Sequence, residues 1–408
     1  MGKARRTITP TRYTRFCVVD VAKQRHVACI IDRDGSMVAR SQSFTNDSEG
    51  FERFLARLKD VGGPRRVVLA MEAIGHYWYS LHDFLVRHAY RVAVLNPIQT
   101  AQQAKKGIRK SKTDKIDARH IATLLKNGDY RPALVPGELA MSCRQLTRLR
   151  SSLVQQGVRT QLLLKARLHP VWPEFDALFA APFRTTGRKL LLAAPTPTDL
   201  LAMAPGELTE LLRAASRGKF GAARAEKIRR AAVCSVGMKR GLEGSRICIR
   251  SLLAQLEAVD SARKELESKI VEVAEQIPAY VLTLPGADPI KAASLFGETD
   301  PIETFRSPAQ LVAFAGLEPA VFQTGDYDAP RRAISKRGSP HPRRTLWLMA
   351  MGALQHDSDL REYWLRRRRE GIHYLNIVTA VAAKLARVTW RILTDRRDYL
   401  PLRPATER

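Results

Sequence analysis

The sequence predicts an α/β domain at its amino end followed by a mostly helical remainder. Strand and helix signals alternate over the first 130 residues, strand signals then stop, and apolar residues recur at helical spacing. FCVVDVAK and HVACIIDRDG are apolar runs of strand length, and ARSQSF is a polar extended stretch. Asp34-Gly35 between two extended runs reads as a hairpin turn, so the first three strands form an antiparallel meander. EGFERFLARL places apolar residues on one helical face and carries the chain across the sheet. RRVVLAME, YWYSLHDFLVRH and YRVAVLNP then repeat strand, helix and strand, and a further helix is predicted from Thr113 to about Lys126.

A meander, a crossover helix and further strands in that order form the pattern of a ribonuclease-H-like fold, predicted over 16–130. The basic stretch 1–15 ahead of it is either a solvated tail or an arm laid on a polyanion. From about Leu139 to Leu168, Leu146, Leu149, Leu153, Leu162, Leu163 and Leu168 stand among Arg and Gln and predict a long helix. Pro170, Pro173 and Pro182 interrupt it, and a helical, basic insert of illegible function follows over about 170–240. Between Ser245 and Ile277 an apolar stripe runs through Ile249, Leu252, Leu256, Val259, Leu266, Ile270, Val273 and Ile277. It serves either an oligomerisation coiled coil or packing against the Leu146–Leu168 helix, which makes 139–277 a helical or coiled-coil region. The last part, 278–400, opens with LTLPGADPIKAASLFGE, turns basic at RRAISKRGSPHPRR and ends in helices from about Thr345 to Arg397.

Among the 408 residues, Lys and Arg number 68 against 40 Asp and Glu, a formal charge of +28. The excess is spread along the chain, which suits nucleic acid phosphate better than one small anion. No amphipathic basic helix dominates, and no apolar run reaches the roughly 18 residues of a membrane span, so no membrane partner is expected. The five cysteines are odd in number and show no CxxC or paired metal-ligand spacing, which fits a reducing cytosol and a cytoplasmic protein.

Two apolar runs end on a carboxylate: CVVD at Asp20 and VVLAME at Glu72. Either acid alone could simply finish a strand in water. Asp114 and Asp117 follow in KTDKIDARHIA, three apart and therefore on one helical face, where Asp114 could also be first-turn helix charge. Four carboxylates converging at the strand ends of one sheet repel unless hard cations sit between them, a need that magnesium meets. Two such ions about 3.5 to 4 Å apart activate an attacking oxygen and stabilise a leaving one in an in-line phosphoryl displacement. His76, His82, His88 and His120 supply no zinc set and read as surface or helix residues.

VVDVAK, AMEAIGHYWYSL, VLNPIQTAQQAKKGIRKSKTDKIDARHIATLL, TLPGADPIKAASL, FAGLEP and ISKRGSPHPRRTLW together resemble the DEDD-type transposases of the insertion-sequence-110 family, relatives of the Piv-type DNA invertases. The likeness covers roughly 16–130 and 245–400, and the insert matches only loosely. The resemblance implies a first domain like the RuvC-type Holliday-junction resolvases, with Asp20, Glu72, Asp114 and Asp117 as its acids. It implies a C-terminal transposase domain over 278–400, DNA as substrate, element ends and target alike, and guidance by an RNA that the element encodes. It also implies a homo-oligomer, dimer or tetramer, working on the nucleoid of a prokaryote.

In the distal domain, LPGADPIKAASL is similar to a helix-hairpin-helix, whose Gly-containing turn offers backbone N–H groups to phosphate. Asp288 stands where the second glycine is expected, which leaves phosphate binding and a purely structural turn both open. Arg331, Arg332, Lys336, Arg337, Arg343 and Arg344 have no acidic neighbour in RRAISKRGSPHPRR, and its prolines predict a phosphate-contact loop. The resemblance implies a nucleophilic serine in a Gln/Glu-Ser-Gly tripeptide after the GLxP turn, where this sequence reads Gln323-Thr324-Gly325. Thr324 keeps a hydroxyl but adds a methyl that stiffens χ1. Ser339, the other hydroxyl in a basic setting, also suits a turn, and water is the third possible attacker. The expected activity is metal-dependent DNA cleavage and rejoining by the carboxylates and the distal hydroxyl jointly. The alternatives are a junction-resolving or ribonuclease-H-like nuclease without a covalent intermediate, and a non-catalytic nucleic-acid-binding protein.

Overall fold

The computed structural model describes residues 12–73, 75–95, 125, 133–320, 323–324, 327–328 and 333–401. The chain divides into two compact units, one of residues 1–137 with 299–310, the other of 138–298 with 311–408.

The first unit is built on a five-stranded mixed sheet. Its strands are β1 (Arg15–Asp20), β2 (Arg25–Asp32), β3 (Met37–Thr45), β4 (Val67–Glu72) and β5 (Arg91–Leu95), in the spatial order β3-β2-β1-β4-β5. The first three strands pair antiparallel, and β4 and β5 run parallel to β1. The β2–β3 turn closes as its sequence requires: Asp32 accepts from the backbone N–H groups of Asp34 and Ser36, and Gly35 takes a left-handed φ of 86°. Helix α1 (Ser48–Asp60) starts where the Asp47 carboxylate accepts from Gly50 N at 2.7 Å. Two short helical pieces follow, α2 (Gly63–Arg66) and α3 (Trp78–Arg87).

Both faces of the central strands are buried, which explains why CVV and VVLAM are continuous apolar runs rather than alternating ones. One face carries Cys17, Val19, Leu69 and Met71 under Phe54, Leu58, Leu81 and Leu85 of α1 and α3. The other carries Phe16, Val18, Val68 and Ala70. Of the helix predicted over Thr113–Lys126 only Leu125 is described; it is helical and buried against that second face.

The second unit opens with a long helix, α4 (Glu138–Leu168). Five helices, α5 (Phe175–Leu178), α6 (Thr185–Ala193), α7 (Pro197–Ala202), α8 (Pro205–Ser216) and α9 (Ala222–Val233), make up the insert around Trp172, Phe175, Leu190, Leu208 and Ile228. Three of the insert's arginines are engaged in its own architecture. Arg188 binds Asp260 at 2.6 Å, Arg229 reaches Met203 O, and Arg224 bonds Leu178 O and lies over the ring of Phe220. Helix α10 (Leu242–Ala274) returns antiparallel to α4: Arg150 binds Glu267 at 2.8 Å, and Gly157 faces Val259.

Within one chain, then, the predicted α10 stripe packs on α4, with Ile249, Leu256, Val259 and Ile270 buried. The long helix predicted from about Leu139 to Leu168 is α4. Leu149, Leu162 and Leu163 are exposed, and the buried face consists largely of Ala140, Cys143, Thr147, Gly157 and Thr160. Two long helices in close approach need small residues at the contact.

The rest of the second unit holds α11 (Pro289–Thr299) up to Glu298, α12 (Pro308–Phe314) from Leu311, a short hairpin of β6 (Gln323–Thr324) and β7 (Tyr327–Asp328), and the helices α13 (Pro340–His356), α14 (Ser358–Arg369) and α15 (Tyr374–Asp395). Leu346, Met349 and Ala353 of α13 are buried, as are Val378, Val381 and Leu385 of α15, which packs against it. Gly286 sits at φ 73° with its Cα against α13, where an added Cβ would lie 2.0 Å from Met349 O. Gly286→Ala is therefore expected to destabilise this unit by about 2–4 kcal/mol in urea unfolding, from steric overlap plus a left-handed backbone. An unchanged unfolding midpoint would refute that close approach.

Candidate active site

β1 and β4 run in parallel register, with Val19 opposite Met71 as their last pair. Asp20 and Glu72 are the next residue on each strand, so the two carboxylates stand at neighbouring strand ends, their backbones about 4.8 Å apart by the ordinary spacing of paired strands. By strand alternation both fall on the face of Phe16, Val18, Val68 and Ala70, the face against which Leu125 is buried. Asp20 is exposed and Glu72 half-buried. Among the described residues neither has a salt-bridge partner. Two adjacent oxygen-donor side chains suit a hard divalent ion. Asp114 and Asp117 lie outside the described residues, and among those described no group of three or more His, Cys, Asp or Glu side chains could hold a metal.

His26 was missed in the sequence although it lies on the inward alternation shared by Ala28 and Ile30. Its ring is buried against Phe44 and Phe51 at centroid distances of 5.2 and 6.0 Å, and Nδ1 accepts from Ala22 N at 3.2 Å, which holds the turn following Asp20. Burial draws its pKa below the ordinary histidine value, against the opposing pull of the Asn46 hydrogen bond and the Asp20 charge. His76 is exposed beside Tyr77, His82 is buried edge-on to Trp78, the His88 ring pairs with Phe84 O, and His120 lies outside the described residues.

In the second unit, Asp288 bonds within its own turn. Its carboxylate accepts from Lys291 N at 2.8 Å and pairs with Lys291 Nζ at 3.2 Å, while the same ammonium donates to Gly286 O. The acid thus occupies the N-terminus of α11, the place where a phosphate would bind. Further along, the GLEP and ISKRG segments pair back to back: Ser335 N donates to Glu318 O, Lys336 N to Gly316 O, Ala320 N to Ala333 O and Ser339 N to Phe314 O. Gly338 is required there, since a Cβ would lie 2.0 Å from Phe314 O. The pairing holds the base of the β6–β7 hairpin, in which Thr324 lies opposite Tyr327.

The basic residues of this region divide. Arg331 and Arg332 lie outside the described residues, and Lys336 and Arg337 are exposed before the helix. Arg343 and Arg344 correct the expectation of a loop: they belong to α13, whose first turn contains Pro340 and Pro342. Proline is tolerated there because the first N–H groups of a helix have no internal partner. Arg343 turns inward to Ala315 O at 3.1 Å, whereas Arg344 is exposed and donates to Ser151 Oγ at 2.6 Å. Ser339 is the residue from which α13 starts, and it is half-buried.

Comparison with known proteins places this architecture. A DEDD-type, insertion-sequence-110 model described as a transposase matches residues 17–173, and a second, described as Transposase IS116/IS110/IS902 family, matches 279–365. An uncharacterized 44.8 kDa protein of insertion element IS116 from Streptomyces clavuligerus is 26% identical over 97% of this chain and 99% of its own length. The mini-circle putative transposase for IS117 of Streptomyces coelicolor is 25% identical over 88% of each chain, and the pilin gene-inverting protein of Moraxella lacunata is 34% identical over 24% of this chain and 30% of its own. Acids at adjacent strand ends in a chain with this charge therefore belong to a DNA transposase or recombinase. More narrowly, the chain is a member of the insertion-sequence-110 transposase family. Among the described residues no helix is long and apolar enough to cross a membrane.

Proposed function

We infer that the protein cuts and rejoins DNA strands to move an insertion sequence, with a ribonuclease-H-like first domain that holds two magnesium ions on Asp20, Glu72, Asp114 and Asp117. The observation that carries this reading is the placement of Asp20 and Glu72 one residue beyond the last register pair of two parallel strands. The strand order, an antiparallel meander with β4 and β5 parallel to β1, supports the fold assignment.

Bound magnesium would polarise the scissile phosphate and stabilise charge on the leaving oxygen. The chain's own contributions are a hydroxyl and its aim. Thr324 Oγ1 attacks phosphorus, one P–O bond of the strand breaks, and the departing oxygen takes a proton while the threonine proton passes to a nearby base or water. Attack on the phosphothreonine by a hydroxyl of the receiving strand restores a phosphodiester and frees Thr324, so no bond energy has to be supplied from outside.

The family and the charge of +28 support partners beyond DNA: an RNA encoded by the element as guide, and further copies of the chain as a dimer or tetramer on the nucleoid. Recovering the nucleic acid that co-purifies with the protein tests the guide. A discrete RNA of defined sequence is expected, and purified protein that recombines its DNA with no RNA present would refute guidance.

A further inference from the structure

We propose that the cleft between α4, α11 and α13 seats a backbone phosphate of the bound nucleic acid, with Arg344 and His341 as its direct ligands and Arg148 behind them. The proposal rests on the reading of the protein as a nucleic acid enzyme and adds the place where the strand is gripped.

The cleft is lined by Arg148, Arg150 and Ser151 of α4, by Lys291 and Glu298 of α11, and by His341 and Arg344 of α13. Its charges do not balance. Glu298 is the one acid in the wall, 1% exposed, and both of its oxygens are committed to Arg148, at 2.6 Å from Nε and 2.9 Å from Nη2. Arg150 is neutralised by Glu267, and Lys291 by Asp288. Arg344 pairs with no carboxylate among the described residues, and its hydrogen bond to Ser151 Oγ leaves most of its five donors for a ligand.

The start of α13 deepens the imbalance. A helix N-terminus carries positive partial charge and favours acids in its first turn. Here the first residues are PHPRR, no acid is present, and no side chain caps the end. Cations at that position repel the helix dipole unless an anion joins them. The contrast with α11 is instructive, because Asp288 supplies the anion there and closes that helix start to phosphate. Of the two helix starts, then, the one at α13 is left to an outside anion, and a phosphodiester is the anion this protein meets along its substrate.

His341 gives the site a pH signature. It faces Arg144 and Arg148 of α4, Glu298 of α11 and Arg344 on its own helix. Burial, followed by the nearby Arg148, Arg144 and Arg344 charges and opposed by Glu298, draws its pKa below the ordinary 6.5. The ring is therefore neutral at pH 7 and gains a proton only under acid conditions. A bound phosphate favours the protonated ring, so by linkage binding tightens as pH falls into the acid range.

The experiment uses full-length protein, without divalent metal so that no strand is cut, and labelled duplex DNA or an RNA of the same sequence. Affinity is measured against salt at pH 7.5 and 5.5. Arg344→Ala should weaken binding about three- to tenfold and lower the slope of log affinity on log salt by about one unit. Arg53→Ala, which removes an exposed cation from α1, should change neither. His341→Gln should abolish the extra tightening between pH 7.5 and 5.5 while leaving affinity at pH 7.5 near that of the parent. An effect on DNA alone or RNA alone identifies which strand occupies the cleft. Unchanged salt slopes for Arg344→Ala on both nucleic acids, with native circular dichroism, would overturn the site, as would an intact pH response in His341→Gln. Neither result bears on strand cleavage, which the carboxylate variants test separately.

Discussion

Asp20→Asn and Glu72→Gln should each lower magnesium-dependent strand cleavage by roughly a thousandfold, the several kcal/mol that a correctly held metal contributes to phosphoryl transfer. Loss of activity alone would not separate a metal ligand from a residue the fold needs, so the stability of the variants carries the distinction. Asp20 and Glu72 stand side by side at neighbouring strand ends with no salt-bridge partner among the described residues. Like charges placed so repel, and neutralising one should leave metal-free stability unchanged or raise it by up to about 1 kcal/mol. A ligand that binds only the native state stabilises it by mass action, so added magnesium should raise the thermal midpoint of the parent and not of the variants. DNA binding without metal should be unaltered, since the acids do not attract phosphate. An Asp20→Asn protein that cuts at the parental rate, or one that melts several degrees lower without metal, would remove the carboxylate site.

The parts of this fold that could be read from sequence are those where burial leaves a simple period. β1 and β4 are covered on both faces, so their runs are continuous and the acids that close them stand out. The α10 stripe was equally plain because large side chains fill it. The partner face of α4 was not, since close helix contact selects Ala, Cys, Thr and Gly, which carry little apolar signal, while Leu149, Leu162 and Leu163, which do carry it, are exposed. Pro340 and Pro342 read as breakers of a loop although they begin a helix, a position where proline is suited. The phosphate cleft was hidden for another reason. Arg148, Glu298 and Arg344 come from three helices far apart in the chain, and in sequence Glu298 looks like ordinary charge at a helix end. His26 could have been found by strand alternation alone.

Thr324→Ala should abolish the protein–DNA adduct and lower strand transfer by roughly a thousandfold or more, as removal of a nucleophile does, while Thr324→Ser keeps or raises the rate. The backbone places Thr324 in β6, opposite Tyr327, so that only Gly325 and Asp326 separate the paired positions along the chain. The flanking segments are held together by the pairing of Glu318 with Ser335 and by close approaches at Gly316 and Gly338. The methyl of threonine restricts χ1 and crowds an in-line approach, which is why serine at the same place should do no worse. Ser339 offers a primary hydroxyl, but it lies at the origin of α13 with its N–H bonded to Phe314 O at 2.6 Å, and Pro340 follows it. Ser339→Ala should therefore leave the adduct in place. The measurement is to stop the reaction with denaturant, digest protein and DNA, and map the nucleotide-bearing peptide by mass spectrometry. A nucleotide on Ser339 would transfer the role to that residue. Undiminished cutting by Thr324→Ala with no adduct at any residue would show water to be the attacker and the enzyme to hydrolyse DNA.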